Sequence, residues 1–210
     1  MVREKLEPTE SFVPDRPTIP KLQRAAAACR GCILFVKATQ TVFGEGPAGA
    51  RVMLVGEQPG DQEDRTGKPF VGPAGKLLDR ALAEAGLERR GVYVTNAVKH
   101  FNFEPRGKFR LHKRPPAGAI KACGPWLTAE LEVVKPAVLV LLGAVAAQAV
   151  LGAQFRVSRE RGKVIRGSIA PVVIATQHPS SILRAPDEAS REEGFELLVK
   201  DLKLAARHAR

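Results

Sequence analysis

Two kinds of apolar pattern alternate along the chain from about residue 51. Runs of consecutive apolar, mostly β-branched residues are typical of buried strands, and apolar residues repeated every three to four positions are typical of covering helices. The runs predict strands over 51–56, 92–96 and 137–142, and a fourth, after a short irregular pair, within 164–174. The periodic stretches predict helices over 21–28, 73–85, 117–134, 144–151 and 188–206. We therefore predict an α/β protein, a three-layer αβα arrangement with a central four-stranded parallel sheet.

The beginning of the chain has a different composition. Residues 1–20 contain four prolines among mixed charges, which predicts an irregular N-terminal arm. The rest, 21–210, is long enough for one domain with a substantial core, and 44% of the 210 residues are hydrophobic. No internal repeat is visible, so we expect a single domain after the arm.

Polar side chains follow three of the predicted strands at the point where each strand ends. Glu57 follows the first strand, Asn96 ends the second, and His178 follows the fourth. Ligands of open α/β sheets bind beyond the carboxyl ends of the strands, so these side chains are expected to converge. An acid, a carboxamide and an imidazole together can recognise a nucleobase edge and cleave the bond that holds the base. Taken singly, each is equally explained as a turn or cap residue.

Each of these groups has a chemical role that it can fill. The Glu57 carboxylate can position water, activate a nucleophile or stabilise a cationic sugar. Asn96 has one acceptor and two donors, which match a carbonyl and the adjacent ring N–H of a pyrimidine. Phe70, in a Gly/Pro-rich loop, can stack on a flipped base, although a core position is the alternative. His178 can donate to a base oxygen as negative charge develops on it. The residues suited to phosphate contacts nearby are Ser180, Ser181 and Arg184.

The net charge of the chain indicates the kind of partner it binds. Lys and Arg number 33 against 22 Asp and Glu, a formal net charge of +11, which favours nucleic acid over a merely solvated basic surface. The N-terminus is charged, and the longest apolar run, 137–147, is shorter than the roughly 20 residues of a membrane span. We therefore expect a soluble, cytoplasmic protein that does not bind membranes. No heptad pattern is present, which predicts a monomer.

The cysteines form a second set of candidate ligands. Cys29 and Cys32 have the spacing of a metal knuckle, Cys123 lies far downstream, and His100 is the candidate fourth ligand because it follows the second strand. Three cysteines and one histidine suit an iron–sulfur cluster or structural zinc. A redox dithiol or plain buried cysteines are the alternatives.

A basic loop is predicted over residues 101–116. It carries five cationic side chains around His112: Arg106, Lys108, Arg110, Lys113 and Arg114. Such a loop can simply grip phosphate. A sharper hypothesis places His112 itself at the reacting carbon.

Taken together, these motifs resemble the uracil-DNA glycosylase superfamily over roughly residues 21–206. The similarity to its iron–sulfur family 4 enzymes is carried by Gly56-Glu57-x-Pro59-Gly60, Pro69-Phe70-Val71-Gly72, Val94-Thr95-Asn96-x-Val98-Lys99 and Cys123-x-Pro125-Trp126-Leu127.

Three features resemble the UdgX-type branch more closely. His100 stands where family 4 has a cluster cysteine, and Gln58 matches that branch. Residues 107–112 resemble its basic insertion, with the pattern Lys-Arg-Arg-Ile-His; here the insertion reads Lys-Phe-Arg-Leu-His, so that Phe109 replaces an arginine.

The resemblance implies a substrate, a mechanism and a cofactor. The substrate would be uracil-containing DNA, preferably single-stranded. Its uracil would stack on Phe70 and pair with Asn96, and His178 would stabilise the uracil anion. His112 would then attack C1′ and stay bonded, which Glu57 would assist by orienting or deprotonating it. The resemblance also implies supporting roles for Gln58 and Asp61, DNA or base contacts for Gly56, Ser180, Ser181, Arg184, Lys108 and Arg110, and a 4Fe-4S cluster on Cys29, Cys32, His100 and Cys123.

Two other functions stay open at this point. One is an ordinary multiple-turnover glycosylase in which His112 only contacts phosphate. The other is a DNA-binding iron–sulfur module without chemistry, which has no need for Glu57, Asn96 and His178 together.

Overall fold

The computed structural model describes residues 6–209, which form a layered α/β fold. The strands are β1 (Val52–Gly56), β2 (Tyr93–Asn96), β3 (Phe103–Arg106), β4 (Phe109–His112), β5 (Val138–Leu142), β6 (Val164–Ile165) and β7 (Val172–Thr176). The helices are α1 (Ile19–Ala26), α2 (Asp61–Thr66), α3 (Pro73–Glu84), α4 (Ala117–Val134), α5 (Gly143–Leu151), α6 (Val157–Glu160), α7 (Pro179–Leu183) and α8 (Glu188–His208). Every predicted strand and helix has a counterpart here.

The central sheet has the order β2-β1-β5-β7-β6. Its first four strands are parallel, which confirms the predicted sheet, and the short β6 pairs antiparallel with β7 as a fifth strand. Side chains of the buried strands alternate between two apolar cores, one on each face. Helices α1, α4 and α5 supply one core and α3, α7 and α8 the other, so the αβα layering is confirmed.

The basic loop predicted over 101–116 folds into a hairpin outside this sheet. Strands β3 and β4 pair antiparallel, with Phe103 opposite His112 and Arg106 opposite Phe109. The turn between them contains Gly107, whose φ of 57° lies in the left-handed region that glycine tolerates. His112 therefore has a defined position at the end of a strand.

The start of the chain is only partly described. The arm predicted over 1–20 includes residues 1–5, which lie outside the described range, as does residue 210. Within the described part, residues Thr9–Phe12 form a 3₁₀ turn, Thr9 is buried, and the Glu7 amide donates to the Arg30 carbonyl at 3.3 Å. The division into an arm and one domain stays a prediction.

No helix among residues 6–209 combines the length and the apolar character that crossing a bilayer requires.

Candidate active site

A cleft of about 860 Å³ opens at the carboxyl ends of the parallel strands. It is bordered by the loops after β1, β2, β5 and β7 and by the end of the hairpin. Ten of the predicted site residues line it: Glu57, Gln58, Asp61, Phe70, Asn96, His112, His178, Ser180, Ser181 and Arg184. The topology therefore brings together side chains separated by more than a hundred residues.

Asn96 occupies the floor of the cleft at the end of β2. Its partner in the parallel register is Gly56, the last residue of β1. A Cβ at Gly56 would overlap the Asn96 carboxamide and lie 2.6 Å from the Phe70 ring, so only glycine lets these two groups meet. Asn96 Oδ1 is buried and has no hydrogen-bond partner among the described residues. A buried unpaired acceptor is costly, which makes it a position where a ligand donor is expected.

Phe70 forms one wall of the cleft in a backbone conformation unusual for its residue type. Its φ is 55°, and such left-handed positions cost about 1–3 kcal/mol and concentrate at functional sites. The ring is buried, with its centroid 5.9 Å from that of His178 and the planes 30° apart. A planar ligand can therefore contact both rings.

Glu63 holds the Phe70 loop in place, a role that the sequence did not indicate. Its Oε1 accepts from the amides of Val71 at 3.0 Å and Gly72 at 2.7 Å, and its Oε2 accepts from the Gly60 amide at 3.1 Å. One buried carboxylate thus ties the loop after β1 to the loop that carries the aromatic ring. Its only signal in the sequence is its place three residues after Gly60, at the start of α2.

His178 caps α7 through its own ring. Nδ1 accepts from the Ser180 amide at 3.1 Å and lies 2.8 Å from the Ser180 hydroxyl. Burial, followed by the nearby His112 and Arg184, lowers the pKa of His178 to about 4. The ring is therefore neutral near pH 7 and carries its proton on Nε2, which makes it a neutral N–H donor.

His112 lies at the rim of the cleft, half-exposed, with two polar neighbours, Glu57 and Gln58, from the loop after β1. Its Nε2 is 2.9 Å from Gln58 Nε2 and 3.7 Å from Glu57 Oε1. An amide N–H beside Nε2 favours the tautomer with the lone pair on Nε2 and the proton on Nδ1. Burial lowers the pKa of His112 and raises that of Glu57, so both charged forms are disfavoured.

Gln58 fixes the base of the hairpin as well as the His112 ring. Besides the N–H directed at His112, its amide nitrogen donates its second hydrogen to the Lys113 carbonyl at 2.9 Å, with the Asn102 carbonyl 3.3 Å away, and its Oε1 accepts from the Asn102 amide at 3.1 Å. The residue before β3 and the residue after β4 are thus held by one side chain. The supporting role of Gln58 in the reaction stays a prediction.

Arg110, which the sequence predicts as a phosphate contact, is bound by carboxylates of the protein itself. Its guanidinium is bound by Asp61 and by Asp64 Oδ2, the latter at 2.6 Å, and lies over the rings of Phe101 and Phe103. Two carboxylates already neutralise it, so it anchors the hairpin to α2. Asp61 accordingly supports the hairpin through Arg110 and has no direct bond to His112 among the described contacts.

The remaining predicted DNA contacts lie around the cleft. The Ser180 hydroxyl is near His178 Nδ1, and the Ser181 hydroxyl donates to the His178 carbonyl at 2.7 Å. Arg184 faces the cleft and is close enough to affect the pKa values of Glu57, His112 and His178. Lys108 lies in the hairpin turn. Their contacts with phosphate stay predictions.

A buried ion pair supports the floor of the cleft from below. Lys99 Nζ donates to Glu130 Oε2 at 2.6 Å, to Thr95 Oγ1 at 2.7 Å and to the Asn96 carbonyl at 2.7 Å. Glu130 also accepts from the Tyr93 hydroxyl at 2.9 Å. The network fixes the main chain of Asn96. Sequence reasoning identified Lys99 only as part of a motif and missed Glu130.

The three cysteines share one apolar core and are free thiols. The Trp126 indole donates to Cys29 Sγ at 3.3 Å, and the Lys99 amide donates to Cys123 Sγ at 3.2 Å. Burial raises the pKa of Cys32, and raises that of Cys123 to about 12. Buried sulfurs that accept N–H bonds suit the thiolate ligands of an iron–sulfur cluster, because these bonds stabilise the bound thiolate.

One ring nitrogen of His100 is already occupied by a hydrogen bond. Its Nε2 lies 3.1 Å from Thr41 Oγ1, and that hydroxyl already donates to the Ala26 carbonyl at 2.8 Å. Nε2 therefore donates, and only Nδ1 is left with a lone pair for a metal. Over residues 6–209, no three His, Cys, Asp or Glu side chains are grouped to hold a metal ion. Zinc and iron–sulfur binding by these residues both stay predictions.

The fold and the cleft define a layered α/β protein with acid–base groups at the carboxyl edge of its sheet. Residues 43–203 match the family model described as the uracil DNA glycosylase superfamily, and the chain belongs to that superfamily.

Several proteins with similar sequences are type-4 uracil-DNA glycosylases. A type-4 uracil-DNA glycosylase of Thermotoga maritima is 40% identical over 157 residues, which cover 74% of this chain and 78% of the relative. Type-4 uracil-DNA glycosylases of Archaeoglobus fulgidus and Pyrobaculum aerophilum are 38% and 35% identical, each over 80% of this chain and 85% and 86% of their own lengths.

Proposed function

We propose that this protein excises uracil from DNA, with single strands preferred, and that His112 then bonds to C1′ of the abasic sugar, as in the UdgX-type branch. The observation that carries the proposal is one cleft holding the unpaired Asn96 acceptor, the neutral His178 donor and the His112 Nε2 lone pair. The names of the relatives support uracil excision, and the hairpin supports the covalent step.

Base recognition rests on Asn96 and Phe70. The buried Asn96 Oδ1 accepts the N3–H of uracil, and the amide group faces the adjacent carbonyl. Cytosine has a lone pair at N3, so it would leave the Asn96 acceptor unpaired and add repulsion. Phe70 stacks on the ring, and Gly56 leaves the room for this contact.

Bond cleavage rests on His178. As the bond between N1 and C1′ breaks, its electron pair moves onto uracil and the negative charge is shared with the two exocyclic carbonyl oxygens. A neutral Nε2–H directed at such an oxygen stabilises the anion without giving up its proton. The sugar is left as an oxocarbenium ion.

The covalent step uses His112 as the nucleophile. The Nε2 lone pair forms the bond to C1′, and the imidazole then loses its Nδ1 proton to solvent or keeps it as an imidazolium. Glu57 lies 3.7 Å from Nε2, where it orients the ring and stabilises the positive charge of the imidazolium. In the tautomer that has its proton on Nε2, Glu57 instead accepts that proton and so frees the Nε2 lone pair.

The ordinary glycosylase is the second candidate. It is favoured by the type-4 names of the relatives and by the Glu57–His112 distance of 3.7 Å, which is longer than a hydrogen bond. In that case water, positioned by Glu57, attacks C1′, and His112 contacts the DNA.

One experiment separates these functions. The protein is mixed with labelled uracil-containing single-stranded DNA and resolved on a denaturing gel. We expect a protein–DNA band that survives heat and detergent. Alkali-cleavable abasic DNA without the band would identify the ordinary glycosylase, and the absence of both products would contradict uracil excision. Uracil-free DNA of the same sequence is the control.

We also propose a 4Fe-4S cluster held by Cys29, Cys32, Cys123 and His100, the last through Nδ1. When bound, such a cluster would brace the loops around α1 and α4 near the DNA. No step of the reaction above requires it.

His100→Ser is expected to weaken the visible absorbance of the cluster and its retention of iron. Loss of supporting groups around a metal alone costs about 10–100-fold in affinity, so loss of a ligand should cost at least that much. His100→Cys should retain the absorbance, since a thiolate replaces the imidazole. His208→Ser, on α8, is the control. An intact spectrum in His100→Ser would mean that another group is the fourth ligand.

A further inference from the structure

The hairpin carries an exposed aromatic side chain that the proposed reaction does not use. Phe109 is 75% exposed, the most exposed of the large hydrophobic side chains in the described part of the chain. Side chains alternate along a strand, so Phe109 and the partly exposed Leu111 lie on the face opposite to Arg110 and His112. Because most of the ring is exposed to solvent, it buries little apolar surface in the fold and is accessible to a partner.

The surroundings of Phe109 are cationic. Arg106 is directly opposite it in the antiparallel register, and Lys108 precedes it in the turn. An exposed aromatic ring beside cationic side chains is the combination that binds single-stranded nucleic acid, because the bases stack while the cations bind phosphates. The excess of positive charge over the whole chain favours the same partner.

The position of Phe109 fits DNA that already occupies the cleft. His112 lines the cleft and lies three residues along the same strand, a separation of about 10 Å at roughly 3.3 Å per residue. Because the ring points to the face opposite to His112, a DNA strand that leaves the cleft has to pass around the edge of the hairpin to reach it. At about 3.4 Å per nucleotide, the contacted base is then at least about three nucleotides from the reacting sugar. The anchor formed by Arg110 and the two carboxylates of α2 fixes this distance.

We propose that Phe109 stacks on an unpaired base flanking the uracil, with Arg106 and Lys108 binding the adjacent phosphates. The inference deepens the proposed function and rests on it, because it takes the DNA strand to enter the cleft. Bases in a duplex are covered on both faces by their neighbours, so this contact selects for single strands.

The test measures binding separately from chemistry. Affinity for uracil-free single-stranded and duplex DNA is measured for the wild type, Phe109→Ala and Phe109→Trp. Phe109→Ala should lose about 5–100-fold in affinity for the single strand, the usual effect of removing one stacking ring, and less than about 2-fold for the duplex. Phe109→Trp should retain binding. Ile169→Ala removes another exposed apolar side chain outside the cleft and should have no effect.

A second measurement locates the contact. Uracil-containing single strands carry 2-aminopurine three to eight nucleotides from the uracil on either side, and its fluorescence should be quenched at one position by the wild type but not by Phe109→Ala. Unchanged affinity, equal losses on single and double strands, or quenching that is independent of Phe109 would each overturn the proposal. Uracil release is followed in the same samples, so a protein that stacks on DNA without releasing uracil would contradict the proposed function alone.

Discussion

His112→Ser is expected to abolish the heat-stable protein–DNA band while uracil release continues. The serine hydroxyl is shorter and a far weaker nucleophile than a neutral imidazole, and the space left behind admits water to C1′. Denaturing gels and alkali cleavage of the same reaction measure the two products. The band should fall below detection, and alkali-cleavable abasic DNA should accumulate, with turnover beyond one uracil per protein.

The matched control is His208→Ser, which removes a histidine on α8, away from the lining of the cleft. It should crosslink as the wild type does. A band that persists in His112→Ser would show that another group forms the bond to C1′.

His178→Ala should lower the single-turnover rate of uracil release by about 10²–10³, the typical effect of removing one preorganised donor to a developing anion. Because burial lowers the pKa of His178 to about 4, its imidazole is neutral at pH 5.5 as well as at pH 8. The ratio of wild-type to variant rates should therefore stay constant across that pH range. Quenched reactions with protein in excess over uracil-containing DNA measure it.

The control for this variant is its affinity for uracil-free single-stranded DNA, together with its thermal unfolding. The affinity should match the wild type, since the donor acts on the leaving group, whereas loss of the α7 cap should lower the unfolding free energy by about 1 kcal/mol and leave the protein folded at the assay temperature. A release rate within a few-fold of wild type would remove His178 from the cleavage step, and a pH-dependent ratio would contradict the neutral donor.

The layered fold was predictable because its strands are buried on both faces. An apolar run such as 137–142, following Pro136 and short enough for a strand, is typical of a buried parallel strand, and helix α4 is a long apolar-rich segment that continues through Pro125. Strand β6, with two residues, and the short helices α2 and α7 are too brief to leave a periodic signal.

The site was predictable as far as the ends of the strands determine it. Asn96 and His178 line the same cleft because parallel strands place their carboxyl ends at one edge. The roles of Glu63 and Arg110 were not predictable, since each depends on contacts between segments whose spacing is set by the tertiary structure. A sequence shows that Arg110 is basic, but only the packing of the hairpin on α2 shows that its charge is already neutralised.

The hairpin of β3 and β4 is an appendage on a complete sheet. It shares no strand pairing with the five-stranded sheet, and it is joined to the rest through Gln58 and Arg110. Such surface insertions are tolerated by a fold far better than changes in its core. His112, the residue proposed to bond to the sugar, is thus carried on a segment outside the central sheet. One insertion or deletion in an ancestral enzyme could therefore add or remove the covalent step without changing the core.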